Sequence, residues 1–251
     1  MRPHDLSIVI TRPQHQNHVL EEKCRSLGIQ ITCYPCIEIM PLTSEVVRAQ
    51  LESELDHFDL ICFTSPNAVY HGLNSLPQLK TLPSRTRIAA VGQSSAQRLN
   101  EQGLGDILTP TNTTDSEGLL ATLEQHALTH KKVLIIKGVG GRELLKQALE
   151  NTHCEVSTCD VYERVLPPTL TMLPQKIDAI LFTSSESAEN FVHLNNSDEG
   201  HRLFNCQTIV GHPKISDKVT TLGFKKNPII ATSPTDEDMY QALIDWLETS
   251  T

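Results

Sequence analysis

A chain of 251 residues with 39 % hydrophobic and 20 % charged residues has the length of one or two domains and enough apolar content to bury a core. Its formal net charge of −9 gives no general attraction for nucleic acid or an anionic membrane, and no apolar run approaches the roughly 18 residues of a membrane helix. Seven scattered cysteines, an odd number, argue for reduced thiols, and the first residues lack a signal-peptide apolar core, so a cytoplasmic protein is expected.

In chain order, Ser7-Ile8-Val9-Ile10 reads as a strand, followed by a helix from about Pro13 to Leu27 that stops at Gly28. Gln30 to Pro41 lacks helical periodicity and partly alternates. Asp59 to Phe63 is a mostly apolar strand, with Ser65 where a helix N-cap belongs. Arg87 to Val91 is another strand, leading through Gly92 into a helix over Ser94 to Gln102. Lys132 to Ile136 precedes Gly140-Gly141 and a helix over Arg142 to Glu150. Val156 to Pro168 is again extended without helical period. Strands return at Ala179 to Phe182, Gln207 to Val210 and Pro228 to Ala231. A last helix, about Thr235 to Thr249, sets Met239, Leu243 and Trp246 at helical spacing toward a core. Near-continuous apolar strands alternating with amphipathic helices predict an α/β fold of parallel sheets covered on both faces.

The chain also repeats itself. Ile61-Cys62-Phe63-Thr64-Ser65 is echoed by Ile180-Leu181-Phe182-Thr183-Ser184, and Ala90-Val91-Gly92 by Ile209-Val210-Gly211. Thr64 to Thr183 and Gly92 to Gly211 are both 119 positions apart (183 − 64 and 211 − 92). Thr114-Asp115-Ser116-Glu117 against Thr235-Asp236-Glu237-Asp238 drifts by two. Solenoid periods run about 20–50 residues, so this one predicts two similar domains with a working cleft between them. If residues 30–41 and 156–168 are both crossings, they pair as a two-stranded antiparallel linker. The domains are then discontinuous: 1–36 with 168–251, and 41–157.

Several residue groups are candidates for chemistry. Cys33-Tyr34-Pro35-Cys36 has redox spacing, but an extended Ile37-Glu38-Ile39-Met40-Pro41 follows where a helix N-terminus is needed to lower the thiol pKa. His15 and His18 share a helix face without further ligands to complete a zinc set, so no metal is expected. Lys137-Gly138-Val139-Gly140-Gly141-Arg142 follows a strand and opens a helix, where backbone amides and two cations suit an anion, or simply make a tight turn. Thr64-Ser65, Thr183-Ser184 and Ser94-Ser95 occupy strand-to-helix turns. Hydroxyls there cap helices, and the carboxyl ends of parallel strands are where ligands bind. Neither a Ser-His-Asp order nor a carboxylate pair stands out, which suits chemistry that needs positioning more than a strong nucleophile.

Taken in order, Ile10-Thr11-Arg12-Pro13, Phe63-Thr64-Ser65-Pro66-Asn67-Ala68-Val69, Val91-Gly92-Gln93-Ser94-Ser95-Ala96, Lys137-Gly138 with Gly141-Arg142, and Val161-Tyr162-Glu163-Arg164 resemble the uroporphyrinogen-III synthase family across the whole chain. The resemblance implies two flavodoxin-like domains joined by a β linker. It implies a cofactor-independent lyase that closes linear hydroxymethylbilane into uroporphyrinogen III, losing water and inverting the last pyrrole ring. The route it implies runs through an azafulvenium and a spiro-pyrrolenine. The substrate closes unaided to the symmetric isomer I, so the enzyme's task is geometric.

By the same resemblance Tyr162 is the catalytic hydroxyl, a phenol that can donate a proton. Thr64, Ser65, Ser95, Thr183 and Ser184 would hold the acetate and propionate groups, with Arg12, Lys137, Gly138 and Arg142 beside them. Lys214 stands where the family often has a threonine, offering a charge contact in its place. The expected partners are the small-molecule substrate and hydroxymethylbilane synthase, by transient hand-over to a monomer, with no nucleic acid or membrane. The alternative is a two-lobed protein that binds a small anion without catalysis; Tyr162→Phe separates the two. A nucleotide- or flavin-using enzyme on the same kind of sheet lacks a complete fingerprint.

Overall fold

The computed structural model describes residues 5–42, 45–110, 116–125, 130–141, 143–168, 171–196 and 198–249. In chain order the elements begin β1 (Ser7–Ile10), α1 (His18–Ser26), β2 (Gln30–Cys33), β3 (Glu38–Pro41) and α2 (Glu45–Glu54). Then come β4 (Leu60–Phe63), α3 (Pro66–Ser75), β5 (Arg87–Ala90), α4 (Gln93–Glu101), β6 (Ile107–Leu108) and α5 (Ser116–Glu124). They continue with β7 (Lys132–Gly138), α6 (Leu144–Asn151), β8 (Glu155–Val165), β9 (Ala179–Phe182) and α7 (Ser185–Leu194). The last are β10 (Gln207–Val210), α8 (Pro213–Thr221), β11 (Ile229–Ile230) and α9 (Asp236–Thr249). These elements form two compact units, residues 1–38 with 165–251, and residues 39–164.

The first unit holds a five-stranded sheet in the order β11-β10-β9-β1-β2, every pair parallel. Its central strands are buried at every position, as a parallel sheet with both faces covered requires. Alternation sorts the two layers. Ile8 and Ile10 pack with Leu20 and Cys24 of α1 and Met239 and Leu243 of α9, and Trp246 lies partly buried against that cluster. Val9, Ile180 and Phe182 pack on the opposite face with Phe191 of α7 and Ile215 and Val219 of α8.

The second unit holds a six-stranded sheet, β3-β8-β7-β4-β5-β6, in which β8 through β6 are mutually parallel. Ile61, Phe63, Leu134 and Ile136 face Val69 and Leu73 of α3 and Ala96 and Leu99 of α4. Leu60, Cys62, Val133 and Ile135 face Leu119 and Leu123 of α5 and Leu145 and Leu149 of α6.

The two sheets place their strands alike but thread them differently. With β4 equivalent to β9 by the 119-residue repeat (181 − 62), β8-β7-β4-β5-β6 superimposes in order on β2-β1-β9-β10-β11. Cys62 pairs with Ile135 as Leu181 pairs with Ile10, so Lys137 corresponds to Arg12, two residues further along each strand.

Two expectations change in detail. Of residues 30–41, Gln30–Cys33 is a strand of the first sheet rather than a crossing, and Glu155 to Asp160 runs beside β7 in the second. A sheet strand and a linker strand share the two-residue period, so the pattern alone did not separate them. β3 and β8 are sheet neighbours, with the Leu42 amide donating to the Val161 carbonyl at 3.0 Å. The first helix starts at His18 instead of Pro13. Gln14–Gln16 is a single 3-10 turn, and buried Asn17 folds back on Arg12, accepting from its Nε at 2.9 Å and donating to its carbonyl at 3.3 Å.

Candidate functional site

The site is built on β8 in the second unit. Lys137 pairs with Asp160, but Gly138 pairs with Tyr162, so Val161 is an extra residue and the strand bulges. The bulge lays the Tyr162 ring flat over Gly138: a Cβ at that glycine would lie 2.5 Å from the ring's Cζ. Only a residue without a side chain permits the approach. His71 of α3 packs on the ring at 5.7 Å between centroids, and Tyr162 is 2 % exposed. Its hydroxyl lies 3.0 Å from Ser65 Oγ. Ser65 is also the N-cap of α3, accepting the Ala68 amide at 3.0 Å. From two residues along β8, Arg164 Nη2 donates to the phenol oxygen at 3.3 Å, with the guanidinium carbon 5.5 Å from the ring centroid.

These groups open into a cavity of about 400 Å³ lined by Thr64, Ser65, Val91, Ser116, Lys137, Gly138, Gly140, Gly141, Leu145, Tyr162 and Arg164. It sits at the carboxyl ends of β4, β5 and β7, where open parallel sheets bind ligands. The glycine segment is the tight turn that the sequence allowed, and it borders the cavity. Gly141 donates to the Gly138 carbonyl at 3.2 Å, closing the turn, while Gly140 at φ 70° and Gly141 line the cavity. Buried Lys137 is shared between Glu143 at 3.4 Å and Asp160 at 3.5 Å. An incoming carboxylate therefore meets a cation already partly neutralised.

Thr64 Oγ1 donates to the Ile136 carbonyl at 3.3 Å at the cavity wall. Ser95 is buried within α4 and does not line the cavity. In the first unit, Ser184 caps α7 by accepting the Ser187 amide at 3.0 Å, with half-buried Thr183 before it. Arg12 is buried, held by Asn17 and by the Asp236 carboxylate at the start of α9. Lys214 is exposed in the first turn of α8, its amide donating to His212 Nδ1 at 3.1 Å. Arg142 lies outside the described residues.

Arg164 is the contact that the sequence reading missed. It stood inside the Val161-Tyr162-Glu163-Arg164 motif, and the two-residue strand period would have set it beside Tyr162. Neither cysteine of the CxxC spacing is activated. Burial first, then Glu21 beside it, pushes the Cys33 thiol up to about 12, and burial pushes Cys36 higher still. Among the described residues no group of three or more His, Cys, Asp or Glu side chains converges on a metal position. Among them, too, no helix is long and apolar enough to cross a membrane.

Comparison with known proteins extends this geometry. A family model described as uroporphyrinogen-III synthase HemD matches residues 18–241. The uroporphyrinogen-III synthase of Salmonella typhimurium is 27 % identical over 228 residues, 88 % of this chain and 93 % of its own. That of Chlorobaculum parvum is 29 % identical over 206 residues, 77 % and 80 % of the two chains. Two solved structures share the fold. A mutant uroporphyrinogen III synthase from the extremely thermophilic bacterium Thermus thermophilus gives a TM-score of 0.63 at 15 % identity, covering 97 % of this chain and 98 % of its own. Uroporphyrinogen-III synthetase from Helicobacter pylori gives 0.63 at 18 %, covering 96 % and 99 %. A family model that runs from α1 into α9, through both units, makes the chain a member of the uroporphyrinogen-III synthase family.

Proposed function

We propose that this chain closes hydroxymethylbilane into uroporphyrinogen III as a cofactor-independent lyase, with Tyr162 donating the proton that releases water. The observation that carries this reading is the Tyr162 hydroxyl, held 3.0 Å from Ser65 on the wall of the 400 Å³ cavity. Protonation turns the substrate's terminal hydroxyl into water, which departs with the C–O bonding pair as the pyrrole nitrogen donates its electrons to form the azafulvenium. The substituted carbon of the last ring attacks, and the spiro-pyrrolenine fragments and recloses with that ring inverted. The proton lost on re-aromatisation returns to the phenolate, so the enzyme ends as it began.

Two cap serines at equivalent turns, Ser65 and Ser184, support a carboxylate-holding role for the turn in each unit. Thr64, Lys137, Gly138 and Arg142 would act on one unit; Thr183, Ser184 and Lys214 on the other. Ser95, buried in α4, and Arg12, committed to Asp236, would support those turns from behind. The strand order of the first unit, β2-β1-β9-β10-β11, supports reading it as a flavodoxin-like domain, and the like placement of β8-β7-β4-β5-β6, though differently threaded, supports a related reading of the second, the two joined by the β3 and β8 segments. Substrate would arrive at this cytoplasmic monomer by hand-over from hydroxymethylbilane synthase.

The test supplies freshly generated hydroxymethylbilane, oxidises the products and separates porphyrin isomers by chromatography. Isomer III in excess of the spontaneous isomer I is expected. Tyr162→Phe should lower kcat about 100-fold while KM moves less than about twofold, as loss of a general acid does. Isomer I alone, at the rate without protein, would overturn the reading in favour of a binding protein for small anions.

A further inference from the structure

Arg164 follows Tyr162 by two residues on β8, and both side chains leave the strand on one face. A guanidinium has donors and no acceptor, so the 3.3 Å contact between Arg164 Nη2 and the phenol oxygen has a fixed direction. One lone pair of the phenol is thereby occupied, and the phenolic hydrogen is turned away from Arg164. It then has two places to point: Ser65 Oγ, which already accepts the Ala68 amide, or the cavity. When Ser65 donates to the phenol instead, both lone pairs are filled and the proton faces the cavity alone.

We propose that Arg164 is a positioning residue for Tyr162: it aims the phenolic proton into the cavity and holds the phenolate that remains. The inference rests on the reading of Tyr162 as proton donor. In the step it serves, the Tyr162 O–H bond breaks and a new O–H bond forms on the leaving hydroxyl. The C–O pair departs with water, and negative charge develops on the oxygen that faces the guanidinium. A cation's hydrogen bond to a neutral phenol thus becomes an ion pair with a phenolate as the reaction proceeds, and an interaction stronger in the transition state raises kcat rather than lowering KM. The guanidinium also lies 5.5 Å from the ring centroid, fixing the ring's tilt by cation–π attraction. A competing role, direct pairing of Arg164 with a substrate carboxylate, would act on KM instead.

The experiment measures kcat and KM for uroporphyrinogen III formation in the wild type, Arg164→Gln, Arg164→Lys, Tyr162→Phe and the Tyr162→Phe/Arg164→Gln double variant. Arg164→Gln should lower kcat about tenfold with KM within about twofold, a modest loss because the guanidinium is partly exposed. Arg164→Lys, which keeps the charge, should recover part of it. In the Tyr162→Phe background Arg164→Gln should change kcat less than about twofold, because the group it acts through is gone. Equal losses in both backgrounds, or a loss carried by KM, would overturn the inference while leaving Tyr162 in place. Wild-type kcat in Tyr162→Phe alone would instead overturn the proton-donor reading, and the role of Arg164 with it.

Discussion

Gly138→Ala should disable the site from beneath. The added methyl would lie 2.5, 2.6 and 2.9 Å from Cζ, Cε2 and Cε1 of Tyr162, against an ordinary contact near 3.4 Å. The ring must therefore move by about 0.9 Å, and it is almost wholly buried, with His71 packed on it. A shift of that size away from Gly138 breaks or lengthens the 3.0 Å contact with Ser65. Overpacking of this kind costs about 1–3 kcal/mol, and displacing a reacting group by about 1 Å costs on the order of 100-fold in rate. Denaturant melts would measure the first and the isomer assay the second. The two effects separate in the Tyr162→Phe background, where Gly138→Ala should still destabilise but lower kcat little further. Wild-type kcat and stability in Gly138→Ala would refute both the close approach and the dependence of rate on the ring's placement.

Arg12→Ala should cost about 2–3 kcal/mol in urea unfolding, because it strips a buried cation from Asp236 and Asn17, while kcat per folded molecule stays within about twofold. A stable variant with a raised KM would make Arg12 a substrate contact instead. Burial pushes the Cys24 and Cys62 thiols up to about 12 and Cys159 up to about 11. The folded chain thus keeps protons that the unfolded chain releases above about pH 9, so this contribution is full below that pH and lost as pH rises toward 11–12. Urea midpoints measured from pH 8 to 10 should fall, and native thiols at pH 8 should react with Ellman's reagent far more slowly than unfolded ones; a flat midpoint would refute the sign.

The local parts of this fold were open to reading in the sequence. The strands at Leu60–Phe63 and Ala179–Phe182 are apolar runs of the length expected, and Ser65 and Ser184 cap the helices after them as their positions implied. The 119-residue echo marks equivalent turns in the sequence alone. What stayed hidden depends on partners distant in the chain. Arg12 reads as a free cation until Asp236, 224 residues away, is brought to it. Lys137 reads likewise until Asp160 arrives on β8. Tyr162 could be named from its motif, but its burial follows from a bulge, which no period reveals. Ser95 shows the limit of turn logic, since the neighbouring helical position Ser94 is exposed while Ser95 is buried.

The threading of the first unit sets a timetable for synthesis. Residues 39–164 are contiguous, so the second unit can finish folding while the chain is still being made. β1 has no such neighbour on one side: Ser7 is clasped by Asp178, 171 residues later, and β9 follows directly after it. At about 5–20 residues per second, that gap lasts about 10–30 s. Throughout it, Ser7-Ile8-Val9-Ile10 is an apolar strand with an open edge, the kind of segment that recruits wrong partners. A nascent chain of this protein therefore has this stretch to shield until β9 emerges.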